Sequence, residues 1–189
     1  MDYQLFCYHS PTGRPNLIEA LEVMECELHF RQGSIGHKKK KLASKLAATN
    51  PQLRILSHDF KEIALLQNIS ENEARARFDF IQIQSLDRGT NVSIVIFDTT
   101  ISIDIPFKLI EQKQTHVLRE VKAYLNIIMD ETAYFVFDAE AERVYSAETI
   151  GSFNFNLLRS RAKMTANTDK ENGRPWWKFW GKNDHNFCF

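Results

Sequence analysis

The stretch FDFIQIQSLDRGTNVSIVIFDTTISIDI, residues 78–105, decides the fold. It holds three runs rich in β-branched and aromatic residues, at 78–84, 91–97 and 101–105, and the third run alternates apolar with polar residues. Runs of this kind are typical of β-strands. The turn segments between them are short, which forces neighbouring strands to run antiparallel. The stretch therefore predicts an antiparallel β-meander.

The flanking sequence adds further strands and several helices. Short apolar runs at 3–8, 53–56, 133–137 and 143–146 favour additional strands, and an amphipathic helix is expected over 112–129. Such a helix covers the apolar face of a half-solvated sheet. We therefore predict an α+β fold, an antiparallel meander sheet covered on one face by helices. One domain is expected over 1–162, followed by a flexible linker and tail over 163–189.

Composition narrows the class of protein. The chain has 189 residues, 43% of them hydrophobic and 25% charged, as is normal for one globular domain. Its formal net charge is zero, which argues against a dedicated nucleic-acid binder. Three scattered cysteines form no C-x-x-C pair, and the chain shows neither a secretory signal nor a membrane-spanning run. We expect a cytoplasmic protein without metal or cofactor.

Catalytic signatures are missing from the sequence. It has no phosphate-binding glycine loop and no nucleophile elbow. The adjacent pair His58 and Asp59 lies where a helix is expected to begin, so we interpret Asp59 as a helix cap. Cys7, on an apolar strand, is interpreted as a core residue, and Cys188 as an exposed thiol. We therefore predict a protein that is not an enzyme; catalysis would need carboxylates or histidines converging in a cleft.

Charged side chains suggest two contact surfaces. Asn16 and Glu19 form an N-x-x-E capping box at the start of the first helix. The periodicity of that helix separates an apolar face from an acidic one; the apolar face has Leu17, Leu21, Met24 and Leu28, and the acidic face has Glu19, Glu22 and Glu25. The acidic face is predicted to meet a basic partner; the alternative is an ordinary solvated face. Lysines 38–41 are either solvated or held by the acidic groups or phosphates of a partner.

The tail holds the most unusual composition. Its segment 174–182, RPWWKFWGK, which we call the basic aromatic segment, mixes three basic residues with four aromatic ones, Trp176, Trp177, Phe179 and Trp180. An apolar cluster of this size is typical of a binding surface. Three interpretations stand: the segment docks on its own domain, inserts at a membrane interface, or anchors a partner through aromatic contacts.

Residues 98–144 carry a resemblance to a known family. The succession ISIDIP at 101–106, a helix with Val121, Tyr124 and Leu125, and then ETAYFVFD at 131–138 resembles a family of small, uncharacterised bacterial α+β proteins. Ala133 and Ala139 stand where that family is expected to have Gly and Pro. In size and in lacking active-site motifs, the family is similar to immunity proteins of interbacterial toxin systems. The resemblance implies a fold and transfers no active-site residue.

The leading functional hypothesis follows from these features together. We expect a non-enzymatic protein-binding protein, an immunity protein that neutralises a cognate antibacterial toxin by occluding it. Its predicted contacts are the acidic helix face and the aromatic residues of the tail. The alternative is a peripheral membrane-associated accessory protein that is anchored by the tail.

Overall fold

Seven strands form one antiparallel sheet in the computed structural model, which describes residues 2–13, 15–24, 35–85 and 92–155. In chain order the elements are β1 (Asp2–Tyr8), α1 (Leu17–Met24), α2 (Lys39–Thr49), β2 (Leu53–Leu56), α3 (Phe60–Gln67), α4 (Glu71–Arg77), β3 (Ile81–Ser85), β4 (Ser93–Ile96), β5 (Thr100–Pro106), α5 (Phe107–Thr132), β6 (Phe135–Asp138), β7 (Arg143–Tyr145) and a short 3-10 helix at Ile150–Ser152. The predicted α+β class is confirmed. Most of the short turn segment predicted between the runs 78–84 and 91–97 lies outside the described residues, and so does the tail at 163–189.

The strand order is β2-β3-β4-β5-β1-β6-β7. The consecutive pairing of β3, β4 and β5 confirms the predicted meander. The N-terminal strand β1 lies between β5 and β6, so that Leu5 is opposite both Ile103 and Asp138. The sequence did not predict this insertion, because strand pairing between distant segments leaves no local pattern.

One face of the sheet packs against α2 and α5 and forms the main core. Successive side chains on a strand point to opposite faces, and Leu5, Cys7 and Ile103 all point to this side. Helix α5, where an amphipathic helix was predicted, contributes an apolar stripe that is buried throughout and comprises Val117, Val121, Tyr124 and Ile128. Side chains of α5 and of the strands thus share one buried core.

Helix α5 is longer than predicted at both ends. It begins directly after Pro106 and bends at Lys113, whose φ of −139° is not helical. It ends at Ala133, which has a φ of 57° and donates its backbone N–H to the Met129 carbonyl. A left-handed residue at this position is a common way for a helix to end, although glycine is usually found there.

Helix α1 packs on the opposite face, over β1 and β6. Ala20 meets Tyr8 and Phe137 there, and Leu21 and Met24 pack beside them half-buried. Leu17, which was predicted to belong to the buried stripe, is instead exposed. The small Ala20 side chain, rather than Leu17, faces the aromatic surface of the sheet. The first turn of α1 lies beside a hollow that is described below.

Candidate functional site

A hollow of about 570 Å³ opens beside the start of α1. It is lined by residues of the turn after β1 and of the first turns of α1: Pro11, Thr12, Asn16, Leu17, Ile18, Glu19 and Glu22. Two of the three predicted acidic residues, Glu19 and Glu22, therefore border one depression. Glu25 lies outside the described residues.

Local sequence explains how the hollow forms. The chain reverses after β1 through a turn in which the Gly13 N–H donates to the Ser10 carbonyl, and Gly13 has a φ of 66° that favours glycine. Asn16 then begins α1, because its Oδ1 accepts the Glu19 N–H at 2.9 Å. This bond is one half of the predicted capping box. The Glu19 side chain takes a different partner from the one that the capping box requires.

Glu19 is buried, with 6% of its surface exposed. Its Oε2 accepts a hydrogen bond from the Thr12 hydroxyl at 3.2 Å. Its Oε1 is also buried and has no hydrogen-bond partner among the described residues. The expectation of a solvent-facing acidic ridge that includes Glu19 is therefore wrong: the turn after β1 folds against this carboxylate. Glu22 is half-buried at the rim.

A second buried polar group, the Tyr8 hydroxyl, interacts electrostatically with Glu19. The Tyr8 hydroxyl, on a residue that is 1% exposed, has no hydrogen-bond partner in the part of the chain that the structure describes. Burial raises the pKa of Tyr8, and the negative charge of Glu19 raises it further. The Tyr8 hydroxyl therefore stays protonated in the neutral range, as a donor close to a carboxylate.

The rim of the hollow is apolar. Leu17 is 37% exposed and Ile18 69% exposed, whereas most large apolar side chains of the described residues are buried. An incompletely bonded buried carboxylate is costly unless an opposite charge or a donor joins it. The arrangement suits a ligand that brings a cationic or donor group to Glu19 and apolar surface to Leu17 and Ile18.

Sequence reasoning found Asn16, Glu19 and Glu22 of this hollow but not the residues of the turn that covers them. Tyr8, Ser10 and Thr12 were not singled out, since isolated hydroxyls on a strand end and a turn carry no motif. Ser10 is buried and its hydroxyl lies 3.1 Å from that of Thr12. Leu17 was assigned to the core because helical periodicity cannot show where a sheet stops covering a helix.

The other predicted sites have structural roles. Asp59 caps α3 by accepting the N–H groups of Lys61 and Glu62, which confirms the capping interpretation. Cys7 is fully buried, which raises the pKa of its thiol and confirms its place in the core. Cys188 and the four aromatic residues of the tail, Trp176, Trp177, Phe179 and Trp180, lie outside the described residues.

The lysine run at 38–41 is only partly solvated, and two of its lysines form ion pairs with acidic residues of the chain. Lys39 is buried, and its Nζ contacts Asp98 Oδ1 at 2.6 Å and Asp79 Oδ2 at 3.2 Å. It also donates to the Asp79 carbonyl oxygen. Lys41 Nζ lies 3.7 Å from Glu131 Oε2. Both open alternatives for Lys39 are therefore replaced by a third: the acidic groups that hold it belong to its own chain.

Comparisons with protein-family models, with curated proteins and with solved structures each found no significant match. Among the described residues, no cluster of His, Cys, Asp and Glu side chains has the arrangement needed to hold a metal ion. No helix within the described ranges combines the length and the apolar character needed to cross a membrane.

Proposed function

We propose that this protein acts by binding another protein, and that it is an immunity protein which neutralises a cognate antibacterial toxin by occluding it. The hollow beside α1 is the proposed contact. The single observation that carries the proposal is the buried Glu19 carboxylate, whose Oε1 has no partner among the described residues, beneath an exposed apolar rim. We place this activity in the cytoplasm.

The chemistry of the hollow fits a basic side chain of the partner. A lysine or arginine that reached Glu19 would supply the missing hydrogen bond and an opposite charge. The cost of removing that cation from water would be offset by the hydrogen bond and by the charge of Glu19. Charge-assisted hydrogen bonds are about twice as strong as neutral ones. Binding hot spots combine such a desolvated pair with surrounding apolar contacts that exclude water. Leu17 and Ile18 would supply those contacts.

Inhibition by occlusion needs no catalytic group on this chain. A standard interface covers about 800 Å² on each partner, which is larger than the hollow, so neighbouring surface must contribute. Glu22 at the rim would speed the encounter with a basic partner. A toxin surface that binds nucleic acid through its phosphates carries lysine and arginine, and an acidic, partly apolar contact would complement such a surface.

The test begins with affinity capture from the native host, using the tagged full-length chain, and continues with the purified partner. An immunity protein is expected to capture a stoichiometric partner and to abolish that partner's toxic activity at a one-to-one ratio. Ile18→Ser should weaken binding by about 30-fold, the effect of losing a hot spot of about 2 kcal/mol. Ile55→Ser, at an exposed isoleucine on β2, is the matched control and should leave the affinity unchanged.

Glu19→Gln separates charge from shape. Glutamine retains an oxygen that can accept from Thr12 but cannot pair with a cation, so affinity should fall and its dependence on salt should weaken. The proposal is wrong if the captured partner has no activity that the chain inhibits. It is also wrong if Ile18→Ser and Glu19→Gln both bind with the original affinity.

A further inference from the structure

The hollow and the basic aromatic segment have complementary chemistry within one chain. The hollow offers two carboxylates, Glu19 and Glu22, and an apolar rim formed by Pro11, Leu17 and Ile18. Among the described residues, no lysine or arginine lines it. The segment 174–182 carries Arg174, Lys178 and Lys182 between its aromatic residues. The two sides thus carry opposite charges, and both have apolar surface that could be buried between them.

The chain between them is long enough. The last described residue, Phe155, packs its ring against Tyr3 with centroids 5.1 Å apart, at the beginning of β1. The hollow lies at the other end of β1, beyond Tyr8. A strand of seven residues spans about 20 Å. Residues 156–173 number eighteen and span up to about 60 Å when extended, so they can also pass from one face of the sheet to the other.

We propose that the basic aromatic segment docks in the hollow of its own chain. A cationic side chain of the segment lies beside Glu19 Oε1, and at least one indole ring covers Leu17 and Ile18. Attachment to the same chain gives the segment an effective concentration of about 1 mM. An intrinsic dissociation constant of about 0.1 mM is then enough to keep the hollow about nine-tenths occupied.

This contact would regulate whatever else the hollow binds. A partner must displace the segment before it reaches Glu19. The apparent affinity for that partner therefore equals the intrinsic affinity multiplied by the fraction of molecules in which the segment is undocked. The docking itself does not depend on the proposed immunity function. Only the competition between segment and partner rests on that function.

Tryptophan fluorescence tests the contact directly, because all three tryptophans of the chain are at 176, 177 and 180. In the native full-length protein we expect blue-shifted emission and protection from acrylamide, a neutral quencher. Glu19→Gln combined with Glu22→Gln should shift the emission to the red and raise the quenching constant roughly twofold, as docking is lost. Ile18→Ser, at an exposed position that does not threaten folding, should do the same.

The control variant loses the same two negative charges at positions away from the hollow. Glu62→Gln combined with Glu148→Gln neutralises two exposed carboxylates away from the hollow and should leave the emission as in the original protein. Unfolding curves of all variants establish that the domain remains folded. The protection should also be independent of protein concentration, as an intramolecular contact requires.

Several results would overturn the inference. Equal quenching in the original protein and in the hollow variants means that the segment does not dock there. Protection that grows with protein concentration assigns the segment to a second copy. A blue shift that develops only with anionic lipid vesicles assigns it to a membrane surface. If the segment does not dock but Ile18→Ser still weakens binding of the captured partner, this inference is wrong and the proposed function is unaffected.

Discussion

The buried carboxyl of Asp104 makes the stability of the fold depend on pH. Asp104 is 5% exposed on the middle of β5, where its Oδ1 accepts a hydrogen bond from Gln4 Nε2 at 2.9 Å. Burial raises the pKa of Asp104 from 3.8 to about 6, and the charge of Asp2 adds to this, while the hydrogen bond from Gln4 acts in the opposite direction. The proposed perturbation is Asp104→Asn, which keeps an oxygen for Gln4 and cannot ionise.

The sign and size of the effect follow from that pKa. Between about pH 4 and pH 6 the folded state holds a proton on Asp104 that the unfolded state has released. The contribution of Asp104 to stability is therefore fully present below about pH 4 and is lost as the pH rises through about 6. Each pKa unit corresponds to about 1.36 kcal/mol, so ionised Asp104 costs the fold about 3 kcal/mol at pH 7.

Urea unfolding at a series of pH values measures this cost. The free energy of unfolding of Asp104→Asn, relative to the original protein, should rise by about 3 kcal/mol between pH 4 and pH 7, in favour of the variant. Asp130→Asn, at an exposed carboxyl on α5, is the control and should show no such rise. A difference between Asp104→Asn and the original protein that stays constant with pH would refute the reasoning.

Further changes test individual contacts, with unfolding free energies as the measurement. Tyr3→Phe removes the hydroxyl that donates to the buried Asp138 at 2.7 Å and should cost about 2 kcal/mol. Tyr8→Phe removes a hydroxyl that has no partner among the described residues and should cost less than about 0.5 kcal/mol. Equal losses in the two variants would contradict this reasoning. Lys39→Ala should cost about 2 kcal/mol and the exposed Lys40→Ala almost nothing, because only Lys39 is buried between two aspartates. Ala133→Gly should stabilise the protein by about 1 kcal/mol, since glycine adopts the left-handed backbone there without strain, and a loss of stability would show the reason to be wrong.

Much of the secondary structure could be predicted, because it rests on local patterns. The strand at Leu53–Leu56 and the hairpin of β4 and β5 follow from residue type and turn length, and so does the stripe of α5. Helix ends were less well predicted. Pro106 ends β5, and α5 begins at the next residue, Phe107, five residues before the predicted start at 112.

The candidate site could be predicted only in part. Helical periodicity identified Glu19 and Glu22 as neighbours, but it cannot tell a solvated face from one that a distant turn covers. Thr12 reaches Glu19 only because the turn after β1 folds back over α1. The pairing of Lys39 with Asp98 joins residues 59 positions apart, and no local rule indicates it.

The central position of β1 has a consequence for the order of events during synthesis. Gln4 and Asp104, on neighbouring strands, are 100 residues apart in the chain, and Tyr3 and Asp138 are 135 apart. At a translation rate of about 5–20 residues per second, β1 leaves the ribosome several seconds before its first partner exists. Among the strands of this sheet, β1 is thus synthesised first and paired late, and its apolar side chains depend until then on transient shielding, by a chaperone or by nascent helices.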